Sequence, residues 1–216
     1  MCYNYIKVDF FLKINPVGGI KMNISNDISS AKNESPSSSL YEWFDSIIRA
    51  LIIILILLTF TFRVCTVVGS SMYSTLEDGE KLVISNFLYT PKENDIIVFH
   101  ETNNLNEPCV KRVIATGNKW VKIDYDTATL YVSEDNIFTE DDIVDESSYA
   151  YFDIGKYNSK GTFEIFVEEG YLFVMGDNRN GSLDSRSELM GLVDEKTVLG
   201  KVIFRISPTD RIGIVN

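Results

Sequence analysis

The chain has 216 residues, of which 45% are apolar and 12% aromatic, enough for one core of ordinary size with a tail or anchor and too few for two large domains. A formal net charge of -11 argues against a sequence-independent grip on nucleic-acid phosphates, and the apolar content excludes wholesale disorder. One histidine, His100, and three cysteines without a CxxC pair (Cys2, Cys65, Cys109) support no multi-histidine metal site, zinc cage or disulfide framework, so neither metal nor cofactor is expected.

In chain order, residues 23–39 (NISNDISSAKNESPSSS) are rich in Ser and Asn and poor in apolar side chains, so residues 1–43 read as a disordered tail. The composition then shifts to ALIIILILL over 50–58. Thirteen residues separate Arg49 from Arg63, short of the roughly 20 that cross a bilayer core, but Phe44, Ile47 and Ile48 extend the run. The sequence therefore predicts one transmembrane helix over 44–64. The run begins too late for a cleaved leader and lacks a small-residue cleavage pattern, so an uncleaved anchor is expected. Basic residues are balanced across its flanks and do not set its orientation.

Residues 64–216 hold 26 of the 31 acidic side chains and 14 of the 20 basic ones. Apolar runs at 81–84, 95–99, 110–114, 120–123, 129–132, 161–167, 171–175 and 199–206, broken by Gly, Asn, Asp or Pro, predict strands. An all-β, mainly antiparallel, barrel-like or sandwich-like domain over 65–216 follows, with the acidic, turn-rich stretch at 134–160 as a surface insertion.

Three clusters carry candidate chemistry. Residues 68–76 (VGSSMYSTL) place Ser71 in a Gly-containing turn just past the apolar run. In CVKRVI (109–114), Lys111 interrupts an apolar strand. Alternation sets Cys109, Lys111 and Val113 on one face and Val110 and Arg112 on the other. Lys111 is then either buried with its apolar neighbours or an exposed guard on a strand edge. In MGDNRNGSLDSR (175–186), Asp177, Asn178, Arg179, Asp184 and Arg186 compose a rigid loop braced by ion pairs. The spacing of Asp177, Asn178 and Asp184 does not fit an EF-hand.

In this order the clusters and the apolar run resemble type I signal peptidases, membrane-anchored serine proteases with a Ser/Lys dyad, over roughly residues 44–212. The resemblance implies that Ser71 is the nucleophile, Lys111 the base and Ser182 the group that orients the lysine amine. It implies a β core of the signal peptidase and LexA type carrying one N-terminal transmembrane helix, signal-peptide-bearing preproteins as substrates, the lipid bilayer as partner, and single-pass placement in the cell membrane with the β domain outside the cytoplasm and residues 1–43 inside. Departures are Ser74 where a proline is usual, Gly117-Asn118 where Gly-Asp is frequent, and Gly69 where some members carry an oxyanion-stabilising hydroxyl. The oxyanion is then left to backbone N–H groups, that of Ser71 first. A LexA-type self-cleaving protease and a non-catalytic membrane-tethered binding domain are the alternatives. The first should carry a DNA-binding helical domain, where this chain has a polar tail and an apolar run.

Overall fold

A computed structural model of the protein describes residues 36–100, 108–152 and 160–215. The chain divides into two units, Met1–Ser46 and Ile47–Asn216, and the division falls inside helix α1 (Pro36–Thr61). Pro36 suits the first helical turn, where its missing N–H removes no helical hydrogen bond. Residues 36–43, expected within the tail, are thus helical. Residues 1–35 lie outside the described residues.

In the second unit, apolar side chains at 51–58 are exposed on every face of the helix. Glu42, Asp45 and Arg49 charge its earlier turns, and among the described residues no helix is long and apolar enough to cross a membrane. The helix also ends before the expected boundary at 64. The β-branched and aromatic run Phe62–Thr66 becomes strand β1, paired antiparallel with β2 (Lys81–Ser85).

The remaining strands are β3 (Ile96–His100), β4 (Pro108–Ala115), β5 (Lys119–Asp124), β6 (Thr129–Ser133), β7 (Thr162–Val167), β8 (Tyr171–Met175), β9 (Val193–Asp194), β10 (Val198–Ser207) and β11 (Gly213–Ile214). Their ladders are antiparallel throughout. The larger sheet runs β1-β2-β10-β3-β4-β8-β9, an open path, with β11 added to β10; the smaller is β6-β5-β7. All eight expected strands form, with ends shifted by a residue or two.

β3 shows how the larger sheet is buried on both faces. Ile96 and Val98 join one apolar cluster with Met72, Leu76 and Leu82, while Ile97 and Phe99 join another with Val113, Leu172 and Val174. A continuous apolar run needs partners on both sides of the sheet, and here it has them. A third cluster packs Val121, Ile123 and Leu130 of the smaller sheet against Phe173 and Met175. The described part of the acidic stretch, 134–152, contains a short 3-10 turn at Glu140–Asp142, and its residues are exposed or half-buried. Tyr151 forms a bridge with Asn178 in the loop after β8.

Candidate active site

Lys111 lies in β4, between β3 and β8, with Ile97 as its cross-strand partner. It is only 5% exposed, which rules out the guard on a strand edge. Alternation around the apolar neighbours Cys109 and Val113 turns its stem inward, the buried one of the two alternatives that the pattern left open. The amine nitrogen is 2.8 Å from Ser71 Oγ and 3.1 Å from the Val110 carbonyl. Burial lowers the pKa of the ammonium; the charge of Arg186 acts in the same direction, while Cys109, Asp184 and Asp177 oppose it. An amine held this way loses its proton more readily than a free lysine and then accepts one from the hydroxyl it faces.

Ser71 sits in a turn that follows a sharp corner at Gly69. That glycine has φ +90°, a backbone conformation that L side chains rarely adopt, and its N–H donates to Asp78 Oδ1 at 2.7 Å. The corner suits Gly, so a hydroxyl-bearing residue here would be strained. Met72 and Leu76 anchor the far side of the turn in the first apolar cluster.

The loop after β8 clamps this turn. Asn178 N–H donates to the Ser71 carbonyl at 3.0 Å, and Asn178 Nδ2 donates to the Ser70 carbonyl at 3.1 Å. Gly176 packs so closely that a Cβ there would stand 2.4 Å from the Ser71 carbonyl oxygen and 2.2 Å from Ser182 Oγ. Ser182 Oγ is buried without a well-aligned hydrogen bond, so the expected bond to Lys111 is not formed in this structure. The hydroxyl lies close enough to Asp184 to help stabilise its carboxylate.

The bracing residues are present, but two of their partners come from elsewhere in the chain. Asp184 and Arg186 pair with each other at 2.8 Å, as their spacing suggests. Burial alone would raise the Asp184 carboxyl. The hydrogen bonds and charge of Arg186, with the Gly176 N–H, overcome this and hold it below its ordinary value. Asp177 is gripped not by Arg179 but by Arg112, with bonds of 2.9 and 2.8 Å, and Thr75 Oγ1 donates to the same carboxylate. One buried carboxylate therefore ties the nucleophile turn and the lysine strand to the loop. Arg179 pairs with Glu146, from the stretch expected to be a surface insertion. Burial pushes the Glu146 carboxyl up while the Arg179 charge pulls it down, and the net displacement is upward.

Sequence reasoning missed the roles of Arg112, Thr75 and Glu146. Arg112 carried a signal, since alternation turns it to the face opposite Lys111 in an apolar strand, where a guanidinium requires a carboxylate partner. Glu146 carried none that separates it from its acidic neighbours. His100 ends β3, opposite Pro108.

The chain is similar to several known proteins. Residues 40–207 match the family described as signal peptidase, peptidase S26. A signal peptidase I of Bacillus licheniformis is 32% identical over 188 residues, 86% of this chain and 98% of that protein. A signal peptidase IB of Staphylococcus aureus (strain Mu50) is 33% identical over 187 residues, 78% of this chain and 90% of that protein. A crystal structure of a signal peptidase I from Enterococcus faecalis V583 is 26% identical, covering 52% of this chain and 97% of that one, with a TM-score of 0.38. With a match over most of its length and relatives above 30% identity, this chain belongs to the signal peptidase family, peptidase S26.

Proposed function

We propose that Ser71 is the nucleophile and Lys111 the general base of a membrane-bound endopeptidase that removes N-terminal signal peptides from exported preproteins. The observation that carries this reading is the 2.8 Å contact between a buried lysine amine and the Ser71 hydroxyl. Neutral Lys111 accepts the Ser71 proton as Oγ attacks the scissile carbonyl, then delivers it to the leaving amine. With the lysine neutral again, a water loses its proton to it and attacks the acyl-enzyme, and Ser71 recovers its proton on release of the cleaved signal peptide. The Ser71 backbone N–H is the oxyanion donor. A buried hydroxyl with no well-aligned bond is suited to orient the amine, and this is the role assigned to Ser182.

The ladder from β4 to β8 begins at Arg112, leaving the edge at 110–111 beside Ser71 to receive an extended substrate. Alternate substrate side chains then face one wall, and small residues are expected at the first and third positions before the cut.

The apolar half of α1 is proposed to embed in the bilayer, because aliphatic side chains exposed on all sides of a helix call for an apolar solvent. Residues 47–61 as helix cover about 22 Å of a ~30 Å hydrocarbon core. The β domain then lies outside the cytoplasm, where cleavage sites emerge.

The deciding experiment is incubation of a purified preprotein with the wild-type protein and with Ser71→Ala. Cleavage at the signal-peptide junction by the first and none by the second is expected, together with labelling of Ser71 by an acylating reagent. No cleavage and no labelling of the folded wild type would favour a tethered binding domain. Protease added to spheroplasts should digest the β domain and spare the N-terminal tail.

A further inference from the structure

Beside the dyad, residues 146–151 form a strap fixed to the loop that holds the nucleophile. Tyr151 N–H donates to the Asp177 carbonyl at 2.7 Å, and Arg179 N–H donates to the Tyr151 carbonyl at 3.0 Å. These bonds flank Asn178, whose own N–H holds the Ser71 carbonyl. The strap is also held by side chains. Glu146 pairs with buried Arg179, and the Tyr149 ring lies 3.9 Å from the Arg112 guanidinium. The backbone of Tyr151 is thus set, through Asn178, relative to the reacting serine.

The Tyr151 ring meets that of Tyr73, two residues beyond Ser71. The centroids are 5.6 Å apart and the planes 84° from parallel, an edge-to-face contact. Each tyrosine is 43% exposed although it is pinned by its neighbour. Rigid, half-open aromatic rings present contact area at small cost in conformational entropy, which makes such pairs effective for gripping a peptide. The chain that passes this point is the substrate. Its residues before the cut follow the edge of β4, whereas both tyrosines stand on other elements, the nucleophile turn and the strap.

Resting on the reading of Ser71 and Lys111 above, we propose that Tyr73 and Tyr151 form an aromatic contact for the substrate residues that follow the cut, and so bias cleavage toward preproteins with apolar side chains at the first two mature positions.

The test uses the purified full-length protein and peptides identical up to the cut, carrying Leu-Phe, Gly-Gly or Asp-Asp just after it. Wild type should prefer Leu-Phe. Tyr73→Ala and Tyr151→Ala should each lower kcat/KM for that peptide roughly tenfold, the scale of one apolar contact. The loss should lie mostly in KM, and the gap to Gly-Gly should narrow. Tyr151→Phe, which keeps the ring, should recover most of the discrimination. Preferences at the first and third positions before the cut should stay as in the wild type. Unaltered selectivity in both alanine variants, an equal loss for all three peptides, or a change confined to positions before the cut would each overturn the proposal. Cleavage that persists in Ser71→Ala would instead overturn the assignment of the nucleophile.

Discussion

Lys111 Nζ stands 2.8 Å from Ser71 Oγ although the two residues lie 40 positions apart, and the lysine that makes this contact is almost wholly removed from water. Proximity and desolvation act together: the first supplies the path for the proton, the second favours the neutral amine that can take it.

If the pair acts as one unit, Ser71→Ala and Lys111→Ala each abolish turnover, and the double variant is little worse than either. Steady-state cleavage of a preprotein measures this. Substantial activity in Lys111→Ala would move the role of base elsewhere.

The buried lysine is expected to cost stability at neutral pH. Its folded pKa lies below the unfolded value, so the unfolded chain binds more protons between the two, and stability rises with pH through that window. Below both values the penalty is fully present. Lys111→Met keeps the volume and removes the charge. It should be inactive yet melt higher than wild type at pH 7, with the difference shrinking as pH approaches about 10.4, the ordinary lysine value. Thermal melts across this range give the comparison, and a lower melting temperature at every pH would refute it.

Gly176→Ala should damage catalysis more than folding. The added Cβ would stand 2.4 Å from the Ser71 carbonyl oxygen, inside any normal contact, so the nucleophile turn must retreat by a fraction of an ångström or more. Misplacement on this scale costs about 100-fold in rate. We expect kcat to fall by about that factor with KM changed much less, read from initial rates on one preprotein.

Ser182→Ala should also lower kcat while largely sparing KM and the melting temperature, because the lost hydroxyl makes no well-aligned hydrogen bond in the resting site and its proposed use is to orient the amine. Ser182→Thr should recover part of the rate. A wild-type kcat in the alanine variant excludes the orienting role, and a large fall in melting temperature assigns Ser182 to structure.

Much of this molecule was legible along the chain because its information is local. The apolar run at 171–175 between Gly170 and Gly176 reads as a buried strand, and β8 forms there. Lys111 shares a strand face with Cys109 and Val113, which left burial and an exposed edge both open, and the structure buries it. Three short stretches were not legible. Phe62–Thr66 directly follows the apolar run and overlaps the span expected to reach 64, so only its pairing with β2 reveals a strand. Val193–Asp194 and Gly213–Ile214 are too short to display a period and exist as strands because neighbours offer them ladders.

The sequence by itself determined eight of the eleven described strands, the family, and the residue types that carry the chemistry, since alternation and turn residues act over a few neighbours. Only the tertiary structure decided the partners: Asp177 with Arg112, 65 residues away, Arg179 with Glu146, and Tyr151 against Tyr73. Such pairs follow from sheet register and from burial of the clusters on both faces of β3, which fix which charges share a dry interior before any one pair contributes. That energy is spread over the whole core and leaves no mark on the residues it brings together.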